Sequence, residues 1–80
     1  MKTGTVKGSV WSTKKVDGLM GLTLLSVETD TGKIVAVDLV GAGKDDRVLL
    51  TFGSAARVEN PLLPVDAAIV GILDTLEAET

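Results

Sequence analysis

Apolar and polar positions alternate along much of this chain, and the alternation predicts strands. Thr3 to Ser12 (TGTVKGSVWS) places Val6, Gly8 and Val10 on one face and Thr5, Lys7, Ser9 and Trp11 on the other, a period of two. Thr13 to Gly21 is polar and punctuated by glycine, with an Asp17-Gly18 turn signal, so it predicts a loop. Leu22 to Glu28 and Lys33 to Val40 are strand-like runs joined by the short connection Thr29 to Gly32. Arg47 to Phe52 (RVLLTF) is a fourth strand and Ala67 to Leu76 (AAIVGILDTL) a fifth.

Ser54 is placed to cap a single helical turn through Ala55, Ala56 and Arg57. Asn60-Pro61 and Pro64 stop that turn from growing. The order is four strands, one helical turn, one strand. The expected fold is therefore all-β, a single domain over residues 1–80 forming a small five-stranded Greek-key barrel of the OB type with one short helical turn before the last strand. The fifth strand carries a further implication. Ala67 to Leu73 is apolar or glycine at every position, so both of its faces must be covered, and the outer one suggests a subunit interface. A short buried helix is the alternative that periodicity alone leaves open.

Composition sharpens the case for self-association. The chain has 80 residues, is 45% hydrophobic and only 24% charged, with a mean hydropathy of +0.36. A domain this small gains about as much from burial as it loses in ordering, and needs disulfides, metals or partners. It has no cysteine and no histidine, which removes disulfides and leaves only carboxylates as metal ligands. No metal site or cofactor is expected. Self-association is the remaining support.

Charge excludes other classes. With 8 basic residues against 11 acidic ones and a net charge of −3, the chain lacks the basic face of a nucleic-acid binder. Trp11 and Phe52 are its only aromatics, too few for a stacking platform. No apolar run approaches the roughly 18 residues that span a bilayer, and no signal peptide is visible. Neither nucleic acid nor membrane is an expected partner, and the cytoplasm is the expected location.

The stretch VGAGKDDRVLLTFGSAAR, residues 40–57, invites a chemical reading. A phosphate-binding P-loop fails on spacing, because Asp38 stands where its first glycine belongs and Asp45 where its hydroxyl residue belongs. The dinucleotide pattern fails because Asp46 occupies the third glycine position. Without histidine no Ser-His-Asp triad is available, and Ser12-Thr13-Lys14-Lys15 meets an S-x-x-K string without its companion motifs. No catalytic residue is expected. What remains is a set of small residues, Gly41, Ala42, Gly43, Gly53, Ser54, Ala55, Ala56, Ala67, Ala68 and Gly71, that would let two backbones approach closely. Arg47 and Arg57 are the isolated cations of this region, with Asp38, Asp66 and Asp74 as candidate partners.

Three separated stretches carry a resemblance. VDLVGAGKDDRVLLTFGSAAR, then PVDAAIVGILDT, and at the start GSVWSTKK, together resemble the EutN/CcmL family of bacterial microcompartment vertex proteins. The resemblance spans about Lys2 to Thr75. It implies an OB-like barrel that forms cyclic homopentamers at the five-fold vertices of a protein shell whose facets are tiled by hexameric shell proteins. It implies assembly roles for Gly41, Ala42, Gly43, Gly53, Ser54, Ala55, Ala56 and Arg57, and the cation–carboxylate and close-approach arguments extend these to Asp66 and Gly71. In such a ring Ser12, Thr13 and Lys14 would lie near the axial pore. The hairpin at Thr29 to Gly32 is shorter than in some family members. A different class of function, a stand-alone OB-fold module for an oligonucleotide or small anion, would require a positive groove with exposed aromatics.

Overall fold

A computed structural model describes residues 1–11, 21–53 and 66–74. Five strands, β1 (Lys2–Ser9), β2 (Leu24–Thr29), β3 (Gly32–Asp38), β4 (Arg47–Phe52) and β5 (Ala67–Ile72), close into a barrel in the order β1-β2-β3-β5-β4. Neighbours pair antiparallel except β3 and β5, where Val37 lies beside Ala68 and Asp38 beside Ile69 in parallel. Antiparallel pairing of β1 with β4, Thr5 opposite Arg47 and Lys2 opposite Leu50, closes the ring. The β3–β5 seam is short, two residue pairs long, so β3 from Gly32 to Ala36 has no partner in β5.

All five expected strands form, and β4 has the expected bounds. The others shift at their ends, β1, β2 and β3 each gaining a residue at one end and losing two or more at the other. Strand β3 ends at Asp38 because its Oδ1 accepts the N–H groups of Val40 and Gly41, each at 3.1 Å, turning the chain out of the sheet. The β2–β3 hairpin turns through Asp30 and Thr31, with Thr29 opposite Gly32. There the Thr29 hydroxyl donates to the Gly32 carbonyl at 2.8 Å, and Gly32 adopts a φ of +125° open to glycine. The run from Ala67 is a strand, so the buried-helix alternative is set aside. The helical turn expected at Ser54 to Arg57 lies outside the described residues.

One expectation is corrected. Val6, Gly8 and Val10 do not share a face, because a bulge interrupts β1: Val6 pairs with Val27, but Gly8 pairs with Ser26. The extra residue, Lys7, shifts the alternation by one and bends the strand toward closure. A second bulge places Leu49 opposite Gly71 but Leu50 opposite Ile69.

Inside the barrel, Val6, Val27, Val48, Leu50 and Ile69 are completely buried, joined by Leu25, Ala36 and Ala67, with Ile34 and Ala42 packed against them. A smaller cluster lies on the other side of the sheet. There Val37 and Ala68 are buried, with Leu22, Leu24, Leu39 and Val70 against them. Strand β5 is thus covered on both faces near Ala68 from within the chain. That part of the argument for a subunit interface falls away, while Val35 on β3 and Ile72 at the end of β5 stay exposed, at 51% and 41%.

Candidate functional site

The connection from β3 to β4 answers the phosphate question directly. Gly41 has a φ of +81° and Asp45 one of +73°, so the chain doubles back twice in eight residues. Gly43 N–H donates to Asp46 Oδ2 at 2.8 Å, while Asp38 holds the N–H groups of Val40 and Gly41. The backbone donors that would cradle a phosphate are therefore occupied by the chain's own carboxylates. The turn is then tied to β1: Asp45 N–H donates to the Val6 carbonyl at 2.8 Å, and Val6 N–H to that of Asp46 at 2.9 Å. It is a structural clasp.

The small residues expected to serve assembly divide into two groups. Gly41 and Gly53 sit at positive φ, +81° and +66°, and Ala42 packs against the barrel core. Gly53 N–H also donates to the Asp66 carbonyl at 2.9 Å, beside the exposed Asp66 side chain. These residues have duties within the protomer. At Gly43 and Gly71 the protomer does not require glycine: neither sits at positive φ, and a Cβ on them would meet at nearest Asp46 Oδ2 at 3.9 Å and Leu49 Cβ at 3.6 Å, ordinary contact distances. Ser54, Ala55, Ala56 and Arg57, and the pore candidates Ser12, Thr13 and Lys14, lie outside the described residues.

Within the protomer Arg47 is held by hydrogen bonds. Its partners are hydroxyls rather than Asp38, Asp66 or Asp74: Nη1 donates to Thr5 Oγ1 at 3.1 Å and Nη2 to Thr3 Oγ1 at 3.0 Å. Its Nε is buried without a hydrogen-bond partner among the described residues. The guanidinium lies in an open groove of about 760 Å³ along the outer side of β1, also lined by Lys7 and Glu28. At its end Lys2 meets Asp30 at 3.0 Å and donates to the Thr31 hydroxyl at 2.9 Å. The hydrogen bond from Lys2, and then its charge, hold the Asp30 carboxyl below its ordinary value. The groove escaped sequence reasoning because it depends on which residue of β4 stands opposite Thr5. The outward alternation of Thr3, Thr5 and Lys7 was its only trace.

The fold and its surfaces define a class: a small closed barrel of OB type with an internal apolar core and no catalytic constellation among the described residues. Residues 1–74 match the family described as ethanolamine utilisation protein EutN/carboxysome. The chain belongs to this family. It is 41% identical to the carboxysome shell vertex protein CcmL of Thermosynechococcus vestitus, over 99% of this chain and 89% of the relative. It is 42% identical to the bacterial microcompartment shell vertex protein PduN of Salmonella typhimurium, over 95% and 98% respectively. Among solved structures, the GrpN pentameric microcompartment shell protein from Rhodospirillum rubrum superposes with a TM-score of 0.87 at 42% identity, covering 96% of this chain and 98% of that one. Among the described residues no helix is long and apolar enough to cross a membrane.

Proposed function

We propose that this chain is a structural shell protein that assembles as a cyclic homopentamer and caps the vertices of a bacterial microcompartment. The observation that carries the reading is identity of about 40%, sustained along the whole chain, with proteins named as shell vertex proteins. The match to a pentameric neighbour at a TM-score of 0.87 supports the ring. The protomer's own chemistry is consistent with it. Closing the barrel pairs most strand edges within the protomer, so association draws on side-chain surfaces. Exposed apolar side chains supply them, Trp11 at 88%, Val35 at 51% and Val40 and Ile72 at 41% each, and such surfaces mark interaction sites.

In this proposal the ring is built from heterologous contacts that close on themselves. Gly43 and Gly71 are the described positions where a neighbouring backbone approaches, since the protomer has room for a side chain at both. Asp66 and the Gly53 to Arg57 segment contribute to the same contacts, Ser12, Thr13 and Lys14 line the axial pore, and hexameric shell proteins are the facet partners. No catalytic role is assigned. The test is native mass spectrometry, where the expected mass is five times the chain's 8.3 kDa. Shells produced without the chain are expected to stay open at their vertices. A monomeric mass, or sealed shells in its absence, overturns the proposal.

A further inference from the structure

Thr3 and Thr5 sit two residues apart on β1, on one side of the strand, and Thr5 stands directly opposite Arg47 on β4. The guanidinium donates to both hydroxyls, at 3.1 Å to Thr5 and 3.0 Å to Thr3. A guanidinium accepts nothing, so each threonine oxygen serves as acceptor and keeps its own O–H proton to give. Each Nη also retains a second N–H. The Nε is sealed from the groove and has no partner among the described residues, so the groove's donors are the spare Nη N–H groups and the two hydroxyl protons. The groove therefore holds a concentration of donors without acceptors to match.

Its charge has the same sign. Lys2 and Lys7 are held by Asp30 and Glu28, at 3.0 and 3.8 Å, whereas Arg47 has no carboxylate partner among the described residues. Three cationic side chains against two carboxylates leave the groove's side chains with one excess positive charge, on a chain whose net charge is −3. Two hydroxyls also fix the guanidinium plane in advance, which lowers the ordering cost of binding. A planar donor fork, two hydroxyl protons and an uncompensated charge match oxygen-rich anions.

The geometry points to a binding site for a small oxyanion, a carboxylate or a phosphate, held by the Arg47 guanidinium and the Thr3 and Thr5 hydroxyls on the outer side of β1. The groove, at about 760 Å³, has room for the anion and a modest organic body. The site goes beyond the vertex reading.

The test is a titration of the full chain with inorganic phosphate and, separately, with succinate, followed by heteronuclear NMR. Arg47 and Arg57 are the only arginines, so Arg47→Lys assigns the two Nε–Hε signals. The expected result is a saturable shift of the Arg47 signal and of the Thr3 and Thr5 amides at millimolar anion, absent with chloride at equal ionic strength. The tighter of the two probes identifies the preferred anion. Thr5→Val keeps a β-branched side chain in the strand and removes one donor, and is expected to weaken binding roughly tenfold. An Arg47 signal that moves for neither probe, or equally for chloride, overturns the site. So does a folded Thr5→Val protein that binds as tightly as the parent.

Discussion

Strands β1 and β5 each carry a glycine in mid-run, and the two glycines are there for different reasons. A Cβ on Gly4 of β1 would come within 2.6 Å of Val27 Cγ1, 2.9 Å of the Glu28 carbonyl oxygen and 3.3 Å of Leu50 Cδ1. On Gly71 of β5 it would rest 3.6 Å from Leu49 Cβ, in ordinary contact. The first glycine is demanded by the interior of the barrel. The second is not demanded by the protomer at all, and any pressure on it comes from outside. Small residues in this chain therefore report two distinct packing problems, and distance separates them where composition does not.

The comparison can be broken from the inside outward. Leu50 is completely buried in the barrel, so Leu50→Ala removes core volume and is expected to cost about 3 kcal/mol, read as a lowered urea midpoint. Gly4→Ala comes next, at about 2 kcal/mol, because the crowding includes a backbone oxygen that cannot rotate away. If it melts with the parent, the close approach at β1 is not a constraint.

Gly71→Ala is expected to leave barrel stability within about 0.5 kcal/mol of the parent, while Gly71→Leu lowers the native mass from the ring toward a single chain and leaves the far-ultraviolet circular dichroism of the barrel intact. A Gly71→Leu protein that remains fully assembled would show that β5 faces no neighbour there.

The smallest effect belongs to the Lys2–Asp30 pair at the hairpin tip. Asp30 is exposed, and its carboxyl is held below the ordinary value of 3.8, chiefly by the hydrogen bond from Lys2. A depressed folded-state value means the pair stabilises the fold above pH 3.8 and that this contribution fades as the carboxyl protonates below it. Asp30→Asn is expected to be slightly less stable than the parent at neutral pH, with the gap closing in acid. A gap that widens in acid would reverse the assignment.

Much of the barrel was legible because strands announce themselves locally. The apolar run in RVLLTF, the Thr29 to Gly32 connection and the doubly apolar run from Ala67 each depend on neighbours in sequence, and all three appear in the fold. The bulge at Lys7 was not legible, because only the register against β2 shows that Gly8 faces Ser26. The partners of Arg47 were missed for a related reason. Its charge suggested carboxylates, yet the closure of β1 onto β4 delivers the hydroxyls of Thr3 and Thr5 first. For the glycine cluster at Gly41 to Gly43 the spacing spoke against a phosphate cradle, and its donors are indeed satisfied by Asp38 and Asp46, though the sequence did not show those partners. What sequence could not supply, in each case, was distance between residues far apart in the chain.

The strand order β1-β2-β3-β5-β4 has a consequence for synthesis. Strand β5 is inserted between β3 and β4, so the gap in the sheet cannot be filled until Ala67 to Ile72 have left the ribosome. A nascent chain carrying only the first four strands exposes two unpaired edges, one on β3 and one on β4, and the core side chains that Ala67 and Ile69 later cover. Closure is then a late event in the life of the polypeptide, and a chain released before Ala67 is left with sticky edges that closure would have paired.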